Sequence, residues 1–484
     1  MQAFFVLLTK AEFTNPPGAS IFVSTSSLRS DRQVKGGVTS SSSFSYFEVM
    51  DKCTGVSAAW LLVAVLVGEM CIFSVPGLVS AENPPGSFFV DCGSTASYVD
   101  NITGITWMPD DQFIDRNSGV NANVTSASLY YPDSSELTTL RHFPDSRAKN
   151  CYSFQVTPNA IYQIRGTFFY GLYDHRSTVP SFEMIVDGTI VASINFASGA
   201  DLMAYQEVMS YAPQSNLTYL CLSRDLTNSV PFISAISLVL ANYTESELGN
   251  VITLNIYEGF YYLTQIRWNF GGNGIIRYPD DPVDRYWFPI KWNSSYVQST
   301  IQPVETLTAK GLVNVMFPPS VVMNTALTTD GNMTIDIPFT RSYGWYMVIF
   351  LAELDPNATA NSREFYLEVS SASVLLLNLF ESKGEVWAID YFNSANQFHI
   401  DLYKNQSIST PLGPLVNALE VFQVGQQQMA LLTNKQDTLA IEEIKSSYGN
   451  LGVWTGDPCF PYPHPWLTCG NISVLGGSSS IIAV

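Results

Sequence analysis

Between residue 88 and about residue 425 the chain is a succession of short apolar or alternating runs separated by Gly, Pro, Asn and Asp, and the succession occurs twice. Residues 158–187 read as a Pro-Asn turn, an apolar strand from Ile161 to Phe168, a Tyr/Asp loop, and a second strand ending in Asp187-Gly188. Residues 341–369 repeat that order: a Ser342-Tyr343-Gly344 turn, an apolar strand from Trp345 to Leu351, a Glu353-Leu354-Asp355 loop, and a strand from Arg363 to Val369. Each half closes with a proline-led strand, begun by Pro231 and by Pro414. Strands this short, with turns between them and almost no 3.6-residue periodicity, build sandwiches rather than a parallel sheet with crossover helices. A period of about 180 residues is too long for a solenoid repeat and is the length of a domain. The expected fold class is all-β, two tandem β-sandwich domains, with a boundary in the polar stretch Asn242–Asn250.

The surface must be kept wet by something other than charge. Charged residues are 13% of the 484, against about 25% in a typical soluble chain. Nine N-x-[ST] triplets begin at Asn101, Asn123, Asn216, Asn242, Asn293, Asn332, Asn357, Asn405 and Asn471, all after Ala81. Glycans at these positions would supply the missing solubility. Met50-Asp51-Lys52, the apolar run Val56–Val67 and the small residues Val79-Ser80-Ala81 have the anatomy of a secretory signal peptide. On this expectation Met50 initiates, residues 1–49 are a disordered upstream extension or a gene-model artefact, 50–81 are the signal peptide, and the mature chain begins at Glu82. The alternative is a membrane anchor over residues 56–78, against which Glu69 and Pro76 count. A net charge of −19 without a Lys/Arg cluster argues against a nucleic-acid partner.

After about residue 430 the character changes. Asn434 to Tyr448 reads as a helix, capped by Asn434 or Asp437, with Ala440, Ile444 and Tyr448 on one face and Gly449 beyond its end. Cys459 and Cys469 then bracket a Pro/Trp-rich loop, the pattern of a local disulfide cap worth about 2–3 kcal/mol in the chain-entropy model. With Cys53 and Cys71 in the signal peptide, five cysteines remain, so at least one of Cys92, Cys151 and Cys221 is free or pairs between chains. The Gly/Ser run from Gly476 resembles no folded element.

Several motifs carry a resemblance. Phe89-Val90-Asp91-Cys92-Gly93, Arg141-His142-Phe143-Pro144 with Asn150-Cys151-Tyr152, and Arg277-Tyr278-Pro279-Asp280-Asp281-Pro282-Val283-Asp284-Arg285-Tyr286-Trp287 resemble the tandem malectin-like ectodomain of plant receptor-like kinases. Gly456-Asp457-Pro458-Cys459 with Trp466-Leu467-Thr468-Cys469 looks like the segment that opens leucine-rich repeats in one branch of that family. The resemblance implies jelly-roll-like malectin domains over 88–243 and 251–425, to which the pattern of the residues adds a helix and Cys-capped tail over 430–470 and a disordered end over 471–484. Members of that branch usually continue into leucine-rich repeats, a transmembrane helix and a kinase, none of which is recognisable here. In animal malectin, loop aromatics after the strand equivalent to Gly166–Phe169 bind a diglucose. Tyr173 falls near that place without retaining the aromatic pair, and Asp355 and Pro356 occupy it in the second domain.

Two readings of the long Arg/Asp motif stay open, a structural corner with Arg277 and Arg285 paired to aspartates, or a ligand contact. The expected function is a secreted or cell-surface recognition module binding carbohydrate or a peptide, with a membrane receptor kinase as a further partner. Its contact residues would be Tyr170, Tyr173, Asp174 and His175, unless these rings merely cover the sandwich rim. A non-binding decoy or co-receptor scaffold is the alternative. A glycoside hydrolase is less favoured, because Asp110-Asp111 and Asp280-Asp281 are adjacent acids that point apart on an extended chain. No metal spacing among the four histidines, no nucleophile elbow and no cofactor motif is present, so neither a catalytic residue nor a cofactor is expected.

Overall fold

The computed structural model describes residues 83–483 apart from several stretches, the longest being 125–132, 197–202, 242–259, 301–307, 311–316, 449–455 and 471–480. The expected upstream extension, signal peptide and Asn242–Asn250 boundary lie outside the described residues. Within them the chain is mostly strand, and the strands duplicate. Lys149–Gln155, Leu217–Arg224, Ser181–Val186 and Thr189–Asn195 form a four-stranded outer sheet. Met333–Pro338, Gln397–Lys404, Glu364–Val369 and Val374–Asn378 form its counterpart, paired in the same chain order.

The facing sheet is continuous through both halves. From the second half it runs through Gly384–Tyr391, Trp345–Ala352, Ala418–Gln426 and Phe260–Phe270. It then passes to Met203–Tyr211, Tyr162–Phe169, Ala235–Leu240 and Phe88–Asp91 of the first half. The junction is antiparallel, with Val208 opposite Leu263 and Met209 opposite Tyr262. An edge strand of each sandwich is thereby satisfied by the other half, which removes two unpaired edges.

The seam explains a strand whose sequence is half polar yet buried throughout. Tyr162–Phe169 is buried at all eight positions. On one face Ile164 and Phe168 join a core with Tyr152, Phe182 and Leu222. On the other, Gln163 donates to the Val283 carbonyl at 3.2 Å and Arg165 binds Asp284 at 2.9 Å. Phe89, Trp107 and Val239 of the first half also join the second core, with Trp287, Trp345 and Phe422.

Across this seam runs a buried chain of charges. Arg165 contacts Glu207 at 2.7 Å; the other oxygen of Glu207 takes Arg267 at 2.7 Å; Arg267 reaches Glu420 at 2.6 Å. The Arg/Asp motif supplies the flanks. Asp284 binds Arg277 at 3.0 Å as well as Arg165, and Asp281 binds Arg285 at 2.8 Å and the Trp287 indole at 2.8 Å. Asp281 also accepts from the backbone of Val283 and Arg285, which folds the motif into a corner. Tyr286 lies under the Arg165 guanidinium, 3.8 Å from its ring centroid. The structural corner is thus the observed role of this motif. Burial alone would raise the Glu207 carboxyl, but the guanidiniums of Arg267 and Arg165 overcome it and hold it at about 2.

The C-terminal tail returns to the first half. Asp457 accepts from the Thr433 backbone and hydroxyl and from the backbone of Cys459 and Phe460, and a disulfide joins Cys459 to Cys469. The folded tail lies on the outer sheet of the first sandwich. There Cys151 and Cys221, opposite each other on neighbouring strands, form a second disulfide, leaving Cys92 free and buried. Gly456, at φ +86°, sits so close that a Cβ would lie 2.6 Å from the Cys151 sulfur. Buried Lys149 donates to the carbonyls of Asp457 and Phe460, and Tyr462 donates to Glu183 at 2.7 Å. The helix is Lys435–Ser447, with Asn434 as the N-cap accepting from Gln436 at 2.8 Å. Its inward face is Ile441 with Ile444, packed on Leu467 and Ile481, whereas Ala440 and Tyr448 are exposed. That corrects the expected face by about one position. Residues 481–483, expected within a disordered end, form the strand Ile481–Ala483 on Thr468–Cys469, because Ile481 closes the same small core.

Removing one carboxylate from the seam leaves buried guanidinium charge uncompensated. Glu207→Gln should lower the unfolding free energy by about 3–5 kcal/mol at pH 6 in denaturant titration. The folded Glu207 carboxyl lies below its ordinary 4.5, so its contribution is complete above that value and fades as pH falls through about 2. The gap between wild type and variant should therefore narrow over that window. Gly456→Ala, which needs a positive φ and space occupied by sulfur, should release the tail and expose it to limited proteolysis while the sandwich cores keep their near-UV spectrum.

Candidate functional site

The strand Tyr162–Phe169 leaves the sandwich at Tyr170 and turns sharply. Gly171, Leu172 and His175 all have positive φ, and the Tyr173 and His175 amides bond back to the carbonyls of Tyr170 and Leu172 at 3.1 Å. These turns place the four expected contact residues differently. Tyr170 is fully buried, with its ring against Phe196 and Phe232, and donates its hydroxyl to Asp174 at 2.6 Å. It is a core residue that orders the loop, and no ring face is left for a ligand. Asp174 is partly spent, since the same oxygen also takes the Arg176 amide at 3.2 Å. Tyr173 is half-buried and His175 exposed.

Tyr173 acquires neighbours that its position in the chain does not announce. Its ring lies 5.2 Å from His142, 5.6 Å from Phe232 and 5.7 Å from Tyr170, the last edge-on. His142 ends the strand Thr139–His142, paired with Phe232 on one side and with exposed Val120 on the other. The result is a shelf of Tyr173 and His142 bordered by Leu172, Val120 and Arg176. Burial lowers the His142 pKa against the pull of Asp174, which favours the neutral ring. Burial also pushes the Tyr173 phenol up, with the Asp174 charge adding to it, so the phenol is a donor at any physiological pH.

The matching loop of the second half is built from charge. Glu353 accepts from buried Arg363 at 2.7 Å and from the Asp355 amide at 3.0 Å, and Asp355 accepts from the Asn357 amide at 2.9 Å. Leu354 is buried and Asn357 exposed. The acid pairs are divided between interior and solvent. Asp110 is buried on Arg141 at 2.6 Å and Tyr152 at 3.0 Å, while Asp111 is largely exposed; Asp281 is buried and Asp280 exposed.

The model of the malectin-like domain matches residues 90–424. The chain belongs to the malectin-like family. Among relatives of this malectin-like chain are two from Arabidopsis thaliana. One is a receptor-like protein kinase, 30% identical over 414 residues, and the other a leucine-rich repeat receptor-like serine/threonine-protein kinase, 28% identical over 414 residues. The alignments cover 82% and 83% of this chain and 43% and 45% of those proteins, so it spans less than half of their length. The ANX2 ectodomain from Arabidopsis thaliana has the same fold, with a TM-score of 0.56 at 16% identity over 70% of this chain and 97% of that one. A chain in the crystal structure of the plant peptide RALF23 with FER and LLG2 gives 0.55 at 15%, over 71% and 96%.

The malectin-like sandwiches present the expected sequons unequally. Asn101, Asn123, Asn216, Asn332 and Asn357 are exposed, whereas Asn242, Asn293 and Asn471 lie outside the described residues. Asn405 does not fit the expectation. It is buried, and the amide nitrogen that a glycan would occupy donates to Glu364 at 2.5 Å. Glycopeptide mapping of protein from a secreting host should find glycans at the five exposed sites and none at Asn405.

Proposed function

We propose that this chain is the extracellular, ligand-recognising part of a receptor-like kinase, and that its first domain carries a carbohydrate contact beside the loop 170–175. The observation that carries this reading is the placement of Tyr173, a partly exposed ring wedged between His142 and Phe232 on the rim of a rigid sandwich. Sugar recognition asks for an aromatic face against C–H groups and a carboxylate for hydroxyls, and Asp174 lies next to the ring. His142, brought in from a distant strand, adds a hydrogen-bonding group beside the ring. The equivalent second-domain loop has no aromatic ring, and a glycan on Asn357 would stand over it.

A peptide ligand is the second reading, and it draws on the RALF23 peptide found with a neighbour of this fold. A scaffold or decoy that pairs with a full receptor would bind neither. Glycoside hydrolysis has least support. It requires two free carboxylates about 5–10 Å apart in one cleft, and Asp110 and Asp281 are each committed to an arginine.

Calorimetric titration with glucan oligomers tests the carbohydrate contact. Tyr173→Ala should weaken binding by about 1–3 kcal/mol, the scale of a lost interfacial aromatic, and Asp355→Ala should change it little. Absent binding by the wild type, or equal affinity for Tyr173→Ala, would move the recognition role to peptide or receptor partners.

A further inference from the structure

The two outer sheets are built alike but are not covered alike. In the first half the outward residues Cys151, Cys221, Ile185 and Glu183 lie beneath Gly456 and Tyr462 of the chain's own tail. In the second half, no segment among the described residues occupies the corresponding face. Its strands alternate cleanly. Ile335, Ile400, Leu402, Phe365, Leu367 and Leu377 are buried, and the intervening residues face solvent.

Those outward residues make a consistent surface. Asp401 lies between Thr334 and Glu368 in register, and Tyr403 lies directly opposite Tyr366. The rings of Tyr366 and Tyr403 are stacked, 5.2 Å apart at 28°, and Tyr403 donates to Glu368 at 3.2 Å. Leu376, opposite Tyr366 on the next strand, is 48% exposed. Asp336 and Glu364 add two more carboxylates. The only basic residue among the outward positions of these four strands is His399, whose ring nitrogen Nδ1 lies 2.5 Å from Asp336.

We propose that the outer sheet of the second domain is a docking face for a basic segment of a partner protein. Lysine or arginine would meet Asp401, Glu368, Asp336 and Glu364, and an aromatic or apolar side chain would lie on the Tyr366–Tyr403 stack beside Leu376. Charge complementarity selects this occupant. A second copy of the chain is disfavoured, because the face is acidic and the whole chain carries −19. A neutral glycan would use the tyrosines and leave Asp401 and Glu368, whose hydroxyl partners Thr334 and Tyr403 are neutral, without a counter-charge. This face lies apart from Tyr173, so its success or failure is independent of the carbohydrate contact proposed for the first domain.

The test uses the full chain freed of N-glycans, because the sequon at Asn332 abuts Thr334 on the edge strand of this face, with three eight-residue peptides, (Arg-Tyr)4, (Ser-Tyr)4 and (Glu-Tyr)4, titrated by calorimetry at 20 and 150 mM salt. We expect (Arg-Tyr)4 alone to bind, and more weakly at the higher salt, where the Debye length falls to about 8 Å. The double variant Asp401→Asn/Glu368→Gln should weaken it at least about tenfold, and Tyr366→Ala should weaken it as well. Tyr173→Ala should leave it unchanged. The reversal Asp401→Lys/Glu368→Lys should transfer preference to (Glu-Tyr)4, a gain that a merely unfolded variant cannot produce. Equal affinity of (Arg-Tyr)4 for wild type and the double variant overturns the proposal. So does salt-independent binding of (Ser-Tyr)4 or of glucan at the tyrosines, or concentration-dependent self-association that is abolished by Tyr366→Ala.

Discussion

The alternation of arginine and carboxylate across the seam is the interaction on which the rest of the molecule depends. Arg165, Glu207, Arg267 and Glu420 lie on four adjacent strands of one sheet, two from each half, and every link is between 2.6 and 2.7 Å. Isolated, any one of these charges would be very costly to bury. Alternated, each carboxylate sees guanidinium on either side, and the ladder tolerates only one relative placement of the two sandwiches. Apolar contacts across the seam would accept small slips. A row of paired charges does not, because a shift of one residue along a strand turns every charge to the opposite face. Specificity of domain arrangement, more than net stability, is what such a ladder contributes here.

Asp91 shows what happens to a buried acid without arginine. It is held by the hydroxyls of Thr139 at 2.6 Å and Tyr98 at 2.8 Å, and burial, incompletely offset by those bonds, pushes it up to about 7. Glu207, more deeply buried, is held at about 2 by two guanidiniums. The linkage signs are opposite. Asp91 favours the folded state at low pH, an advantage lost as pH rises from 3.8 through about 7, whereas the Glu207 contribution is lost only on acidification below 4.5. Hydroxyl donors leave an acid close to neutral, whereas guanidinium partners fix its charge.

The strand pattern and its duplication were legible because alternation and turn residues are local, and the four outer strands of each half do pair in the same order. The Arg/Asp motif was legible as a corner, since its prolines and aspartates act within eleven residues. The ladder itself was not. Arg267 and Glu420 are 153 residues apart, and nothing beside either of them in the chain marks it as buried. The helix start was visible in Asn434, but its inward face was set by Leu467 and Ile481, which arrive from beyond the disulfide. Tyr170 illustrates the same limit at the site. Its place at the end of a buried strand was clear, while its burial depends on Phe196 and Phe232, and the partly buried neighbour of Tyr173 proved to be His142.

The duplication also separates what the fold requires from what it leaves free. Inward positions of the two outer sheets keep the same apolar alternation, and both halves use arginine-bound acids near the loops, Arg141 with Asp110 and Arg363 with Glu353. Outward positions have diverged completely: a disulfide under a glycine-led tail in one half, stacked tyrosines among carboxylates in the other. The loops after the equivalent central strands have diverged too, one aromatic, the other closed by its own charges. The charges of the seam are committed to joining the halves. What remains variable is rim and outer face, the surfaces on which the two copies of a duplicated frame are free to differ.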